Sequence, residues 1–230
     1  MKAIIEKLNY DGKGITRNKG VVTFISKVLP DEEIEYKILK EDKRYNIGKC
    51  LKIISKSPRR IESLCPYFND CGGCMFQNVS YNDSLMYKKD IFIEGVKNYY
   101  DSIMYPMYDV LSTNINKNDL SKTINDLIDV FIKTHNISKS SHENLMAMSY
   151  TMEEVKEIFN DNEMILTNKI SEILKKEGFI INNPLEKIHI SIGIVDNFCH
   201  EVVYHKHESL DYDVMKKEVI DLIIGLLKRD

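Results

Sequence analysis

Three cysteines within ten residues separate two parts of the chain that differ in hydrophobic pattern. They are Cys65, Cys71 and Cys74, spaced C-x5-C-x2-C, and the two glycines before the last one allow the backbone to turn tightly. Thiolates at this spacing can converge on a soft metal centre. The segment therefore predicts a metal-binding knuckle between a strand-like front part and a helix-like rear part.

The front part has the pattern of short β-strands. Apolar and polar residues alternate in runs over 3–8, 20–25, 34–39 and 51–54, and turn residues separate these runs. Closely spaced strands in about sixty residues predict a small antiparallel β-barrel. Such a barrel either binds an oligonucleotide on one face or is simply a stable β domain.

The rear part has the apolar spacing of helices. A long helix is predicted over about 82–106, followed by helices over 120–134, 142–149, 152–177, 184–205 and 212–227. The last two are apolar on more than one face. They are therefore predicted to be internal or to be shared with a second copy in a homodimer.

Charge is distributed unevenly between the two parts. Residues 1–90 contain 17 Lys and Arg against 12 Asp and Glu, whereas residues 91–230 contain 15 against 23. A basic front part favours a polyanionic partner there. Five basic residues at the end of the predicted barrel would lie near a phosphate backbone. They are Lys49, Lys52, Lys56, Arg59 and Arg60.

The cysteine count and the apolar runs indicate a compartment. Five cysteines cannot all pair with one another, and the first residues lack the pattern of a secretory signal peptide. No uncharged run approaches the ~20 apolar residues of a membrane span. These features predict a cytosolic protein with reduced thiols and no membrane role.

The cysteine spacing belongs to a longer set of motifs in residues 1–90. They are Gly12-Lys13-Gly14-Ile15, Gly20-Val21-Val22-Thr23-Phe24-Ile25, Leu29-Pro30, Ser57-Pro58-Arg59-Arg60, Cys65-Pro66-Tyr67-Phe68 and Cys71-Gly72-Gly73-Cys74, with Gln77, Ser80-Tyr81 and Lys88. This set resembles the TRAM domain and iron–sulfur segment of the RNA uracil-5 methyltransferases. The resemblance implies an OB-like barrel that holds RNA and three cysteines that bind a [4Fe–4S] cluster.

The fourth ligand of such a cluster is not identified. The family takes it from a later cysteine, and here Cys199 lies in a predicted helix of different character, while Cys50 falls in a strand pattern and is expected to pack as a small apolar residue. Zinc is the alternative to a cluster, and three free thiols without metal are a third reading.

Methyl transfer by this chain alone is not expected. The family also has a doubly wound domain with a glycine-rich loop for S-adenosylmethionine, and a catalytic cysteine beside a Pro-Pro loop. After residue 100 the chain contains three scattered glycines and no Pro-Pro pair. No catalytic order of Ser, His and Asp stands out either, so the chain is predicted not to be an enzyme.

Residues 91–230 carry a second resemblance. The stretches Phe92-Ile93-Glu94-Gly95, His142-Glu143-Asn144-Leu145-Met146 and 205–213 resemble the C-terminal domain of TetR-type transcriptional regulators. The resemblance implies an all-α domain that dimerises through its last two helices and encloses a small effector. Candidate pocket residues, which would otherwise be ordinary core, are Tyr99, Met104, Phe131, His135 and Met148. The histidines at 200, 205 and 207 have poor spacing for a zinc site and are expected at a helix end or surface.

These patterns predict three segments: a TRAM-like barrel at 1–60, a cysteine segment at 61–90 and a TetR-like domain at 91–230. The leading interpretation is a non-catalytic, dimeric RNA-binding regulator that responds to an effector. One alternative is a fragment or subunit of an RNA uracil-5 methyltransferase without its catalytic domain. The other is an artificial or accidental fusion of two unrelated genes.

Overall fold

Strands precede helices along the chain, the order that the change in hydrophobic spacing predicts. A computed structural model describes residues 1–18, 20–113, 115, 119–135 and 137–229, and in these residues six strands are followed by six helices. The chain divides into two compact units, Met1–Gly95 and Val96–Asp230. We refer to them as the N-terminal and the C-terminal unit.

The strands of the N-terminal unit form a mixed sheet in the order β1-β5-β6-β4-β3-β2. They are β1 Lys2–Ile4, β2 Lys7–Leu8, β3 Gly14–Asn18, β4 Val21–Ile25, β5 Glu33–Glu41 and β6 Tyr45–Ser55. The prediction of a purely antiparallel sheet is wrong, because β4 pairs with β6 in parallel. The chain leaves β4 to form β5 beside β1, and the β5–β6 hairpin then returns β6 alongside β4 in the same direction.

The two edge strands of this sheet are almost continuous in sequence. Only Ile5 and Glu6 separate β1 from β2, and their amides donate to the carbonyls of Glu32 (2.9 Å) and Ile15 (2.8 Å). The N-terminal segment thus bonds to both sides of the sheet. The core beneath it contains Ile5, Ile25, Val28, Ile34 and Tyr36. Gly14 is required beside this core, since a Cβ there would lie 2.4 Å from a Val28 methyl carbon.

The helices are α1 Tyr81–Thr113, α2 Leu120–Thr134, α3 Lys139–Thr151, α4 Glu153–Lys176, α5 Pro184–Tyr204 and α6 Tyr212–Lys228. Ser80 caps α1, because its hydroxyl accepts from the Asp83 amide and donates to the Asp83 carboxylate. The predicted end of this helix at Pro106 is wrong. Pro106 lies inside α1, where burial of Met107 and Leu111 stabilises the turns that follow it.

The core of the C-terminal unit is organised around α5, which packs against α2, α4 and α6. Ile128 and Cys199 are fully buried there, and Ile188 and Phe198 are nearly so. From Tyr81 onward the described residues form helices and loops only, without a doubly wound α/β layer. None of the helices in the described ranges is long and apolar enough to cross a membrane.

Candidate nucleic-acid interface

A groove of about 780 Å³ in the N-terminal unit lies between the sheet and the segment that contains the cysteines. Its basic side chains are those of Lys27, Lys49, Lys56 and Arg60, whereas its acidic ones are Glu62 and Asp70. Serine and asparagine side chains add neutral polar groups to the wall. An excess of positive charge with hydrogen-bonding groups beside it suits a phosphate backbone.

A buried ion pair sets the shape of this groove. The Glu32 carboxylate is fully buried and accepts two hydrogen bonds from the Arg60 guanidinium, one of them at 2.8 Å. It also accepts from the Leu29 amide at 2.9 Å and the Ser57 amide at 3.4 Å. The same guanidinium donates to the Lys27 carbonyl at 2.9 Å. Glu32 therefore joins the β4–β5 turn to the chain that leaves β6.

The five predicted basic residues do not all face the groove. Lys49 and Lys56 line it and form no ion pair with described residues. Arg60 lines it as well, but its guanidinium is occupied by Glu32. Lys52 lies opposite Glu35 in the β5–β6 register, and Arg59 pairs with Asp83 at 3.4 Å, so both lie outside the groove.

Two further lysines contribute to this surface and were not predicted. Lys27 has a backbone φ of 65°, donates to the Cys74 carbonyl at 2.6 Å and lies 4.0 Å from the centroid of the Phe68 ring. Lys37 lies directly opposite Lys49 in the β5–β6 register. Like charges that face each other across strands repel, and an anion placed between them relieves the repulsion.

The cysteine segment is held against the strand unit by several contacts. Besides the Lys27 bond, Arg60 forms an isolated bridge with Val79, and within the segment Ile61 donates to the Asn78 carbonyl at 2.9 Å beside this bridge. Gly12, at φ 69°, lies so near Met75 that a Cβ would come within 2.3 Å of its side chain. The segment is therefore packed onto the sheet and does not extend freely from it.

The three predicted metal ligands lie in one loop. Cys65 is half-buried, and Cys71 and Cys74 are exposed. The Cys71 sulfur accepts from the Gly73 backbone amide at 3.4 Å, and the Cys74 sulfur accepts from the Gln77 side-chain amide at 3.3 Å. Sulfur ligands with N–H donors suit a soft metal or cluster. However, the described residues include no group of three or more His, Cys, Asp or Glu side chains arranged to hold a metal ion.

The two other cysteines are poor candidates for a fourth ligand. Cys199 lies in α5 and is fully buried, and this burial raises the pKa of its thiol to about 12. Cys50 lies in β6 opposite Tyr36, where burial and then the Glu32 charge raise the pKa of its thiol. Both thiols therefore resist the deprotonation that a metal ligand needs.

The predicted effector pocket falls in the C-terminal unit. A cavity of about 380 Å³ there is lined by Tyr99, Met104, Phe131 and His135, whereas Met148 is not part of its wall. His200, expected at a surface or helix end, also lines this cavity. His205 and His207 are exposed, as expected.

The comparisons with known proteins match the cysteine-containing part of the chain to RNA methyltransferases. An uncharacterized RNA methyltransferase of Halalkalibacterium halodurans is 43% identical over 89 residues, which are 39% of this chain and 19% of that protein. One from Aquifex aeolicus is 38% identical over 97 residues, 42% of this chain and 23% of that protein. The 23S rRNA uracil C5-methyltransferase RlmD of Legionella pneumophila is 35% identical over 97 residues, 42% and 22% of the two chains. No family model matches.

These matches correct the predictions from the sequence. The homology is N-terminal and links the chain to RNA methyltransferases, although the chain spans only about a fifth of the length of these relatives. The prediction of a non-enzyme is wrong, because these homologues are named as enzymes. The TetR resemblance of the C-terminal unit has no support from the matches.

Proposed function

We propose that the N-terminal unit binds RNA as the substrate-holding part of an RNA uracil-5 methyltransferase, and that the chain acts as a fragment or subunit of such an enzyme. The observation that carries this proposal is the 35–43% identity to RNA methyltransferases over about two fifths of the chain. The basic groove supports it independently, because it offers the chemistry that an RNA backbone requires.

We propose the same three segments as the sequence predicts: a TRAM-like barrel at 1–60, a cysteine segment at 61–90 and a helical part at 91–230. The near-continuity of β1 and β2 supports the barrel, because one short segment bonds along both edges of the sheet. Closing a sheet in this way removes its exposed edges, as in small nucleic-acid-binding barrels.

The groove would contact RNA mainly through phosphates. Lys49 and Lys56 form no ion pair with a carboxylate of the described residues, so their ammonium groups are available to replace the counterions of a polyanion. Lys37 would reach a phosphate shared with Lys49 across the strand pair. Contacts of this kind position an RNA without reading its sequence. The choice of the target uracil is therefore left to other parts of the enzyme.

The cysteine segment would hold a [4Fe–4S] cluster through Cys65, Cys71 and Cys74, with zinc as the alternative. A bound cluster would stabilise the loop and add a redox centre. The Gly73 and Gln77 donors already in place would stabilise the thiolates. Protein purified without oxygen should show broad visible absorption and iron for a cluster, or zinc with no colour. A folded, metal-free sample would refute both.

The helical part would form a homodimer through α5 and α6. Several apolar side chains on these helices are exposed, among them Leu185, Ile190, Val214 and Leu222. A second copy would bury them around a shared helix bundle. Sedimentation of the full chain should give twice the monomer mass, and a monomer at micromolar concentration would contradict this part of the proposal.

An assay of uracil methylation tests the main proposal. A methyltransferase relative from which the matched segment has been removed would be combined with this full chain and its RNA substrate. Methylation that rises on addition of the chain, and falls when the chain carries Lys49→Gln and Lys56→Gln, supports delivery of RNA. Methylation that is unchanged by the chain, together with no salt-dependent RNA binding, would refute the proposal.

A further inference from the structure

The cavity of the C-terminal unit has an apolar, aromatic wall. Tyr100 and Phe159 meet edge to face at 4.8 Å between ring centroids, and both line the cavity. The Phe131 ring lies 4.1 Å from the ring of His135 between centroids, tilted by 31°, and both are part of the same wall. A volume of about 380 Å³ is at the lower end of the range for small-molecule sites. A cavity of this size suits a ligand with a single ring or with two fused rings.

The charged groups on this wall have one sign. Glu163 and Asp196 are among the lining residues, and no Lys or Arg is among those that the structure places there. Asp196 also accepts from the His200 imidazole at 3.2 Å. Two carboxylates with no Lys or Arg in the described wall give the cavity a negative potential at neutral pH.

Two histidines of the cavity, His135 and His142, are kept uncharged by burial. Burial, and then the neighbouring imidazoles of His200 and His135, lower the pKa of His142 to about 4. Burial also lowers the pKa of His135, although its Nδ1 donates to the Phe131 carbonyl at 2.7 Å. That bond leaves the Nε2 of His135 as an acceptor. Neutral imidazoles thus add hydrogen-bond acceptors without offsetting the negative charge.

The hydroxyl of Tyr99 adds a further polar group without a settled partner. It is buried and forms no hydrogen bond of normal geometry with the described residues. Burial, with Tyr204 and Asp196 as further causes, raises the pKa of this hydroxyl, so it stays protonated. Tyr204 is its polar neighbour within the protein, and a ligand in the cavity that supplies a better-aligned partner would stabilise this buried hydroxyl.

We propose that this cavity binds a small, flat aromatic cation. The ring of the ligand would stack among the Tyr, Phe and His rings, whose faces attract positive charge. Its charge would be balanced by Glu163 and Asp196, and N–H groups on it would donate to the neutral imidazoles. An anionic ligand would meet two carboxylates and no Lys or Arg in the described wall, and a metal ion would not find a converging donor set among the described residues.

Three probes of similar shape and different charge test this proposal with the full chain. Calorimetric titrations at pH 7.5 would use 1-methylquinolinium as the cation, quinoline as the neutral probe and 1-naphthoate as the anion. We expect the cation to bind at least tenfold more tightly than quinoline, and naphthoate not to bind. Equal affinity for the cation and the anion, or no binding of the cation at millimolar concentration, would overturn the proposal.

Matched variants assign the effect to the two carboxylates. Glu163→Gln with Asp196→Asn should weaken binding of 1-methylquinolinium about tenfold and leave binding of quinoline unchanged. Glu157→Gln removes the same charge from an exposed position of α4 outside the cavity wall and should have no effect. Circular dichroism would establish that each variant keeps its helices. Equal affinity of the double variant and the wild type for the cation would refute the assignment.

Discussion

The two units of this chain use charge and burial in opposite ways. In the N-terminal unit, a buried carboxylate and guanidinium form a structural ion pair, and the lysines at the groove remain unpaired at the surface. In the C-terminal unit, the imidazoles of His135 and His142 are kept neutral at a cavity whose described wall has two carboxylates and no Lys or Arg. The groove of the N-terminal unit therefore has positive charge available for a polyanion, whereas the cavity of the C-terminal unit repels an anion.

The two units also differ in their sequence similarity to other proteins. The unit with the unpaired lysines is the one that matches RNA methyltransferases, whereas the cavity lies in the unit without such a match. The matched unit also depends on special backbone positions, such as Gly12 at φ 69° against Met75. The fold of this unit therefore requires both specific side chains and specific backbone geometry.

The largest expected effect comes from the buried ion pair. Glu32→Gln would leave the Arg60 guanidinium buried without its counter-charge, and we expect the free energy of unfolding of the N-terminal unit to fall by about 3 to 5 kcal/mol. Urea unfolding combined with amide hydrogen exchange of β4 and β5 would measure this loss. A smaller loss, under about 1 kcal/mol, would mean that the pair does not anchor the groove.

Glu35→Gln provides the matched control for that experiment. Glu35 lies in β5 just after the turn that contains Glu32, is exposed and faces Lys52, so its removal should cost less than about 1 kcal/mol. Equal losses in the two variants would show that net charge, and not burial of the pair, controls the stability of this unit.

Acidification provides the corresponding test in the C-terminal unit. The pKa of His142 is lowered to about 4 in the folded chain, against about 6.5 when unfolded, so the unfolded state binds more protons between these values. The free energy of unfolding should therefore fall as the pH falls from about 6.5 to 4, by up to about 3 kcal/mol.

The variant His142→Gln tests whether His142 causes this pH dependence of the free energy of unfolding. His142→Gln should remove this contribution and give a shallower slope between pH 6.5 and 4, whatever its stability at pH 7. Urea unfolding at several pH values would compare the two proteins. Asp196, His135, His200 and His205 also act on this ring, so an unchanged slope would assign the acid sensitivity to those neighbours.

The sequence predicted helices better than strands, for a physical reason. The helix over 120–134 has the predicted bounds, because its apolar spacing is regular and Asp119 caps its start. Strand β3 was missed, since its buried residues include Gly14 and Thr16, which do not give an alternating apolar pattern. The pairing of β4 with β6 depends on a crossover that no local pattern encodes.

The candidate site was predicted only where its residues are close in sequence. Lys49 and Lys56 were found because they belong to one basic run, whereas Lys27 joins the groove through a contact with Cys74, 47 residues later. His142 and His200 lie on different helices, and only packing brings their ring centroids to 4.5 Å. Glu32 was not predicted, because it stands between two other acidic residues and its burial is not visible in the sequence.

Removal of the unpaired lysines should change RNA affinity more than protein stability. Lys49→Gln with Lys56→Gln should weaken binding of a single-stranded RNA about tenfold, and the slope of log K against log salt should fall by about 0.7 per lysine. Fluorescence anisotropy at several salt concentrations would measure both quantities. Lys52→Gln, outside the groove, serves as the control and should leave the slope nearly unchanged.

The smallest expected effect distinguishes the groove from the basic run as a whole. Arg59 belongs to the predicted cluster, but its guanidinium faces Asp83 at 3.4 Å and is half exposed. Arg59→Ala should therefore lower the free energy of unfolding by less than about 1 kcal/mol and leave the salt slope of RNA binding unchanged. If Arg59→Ala lowered the slope of log K against log salt as much as one lysine substitution does, about 0.7, Arg59 would contact the RNA. The RNA-contacting surface would then extend past the groove to the start of α1. The absence of an ion pair would no longer distinguish the basic residues that contact RNA from those that do not.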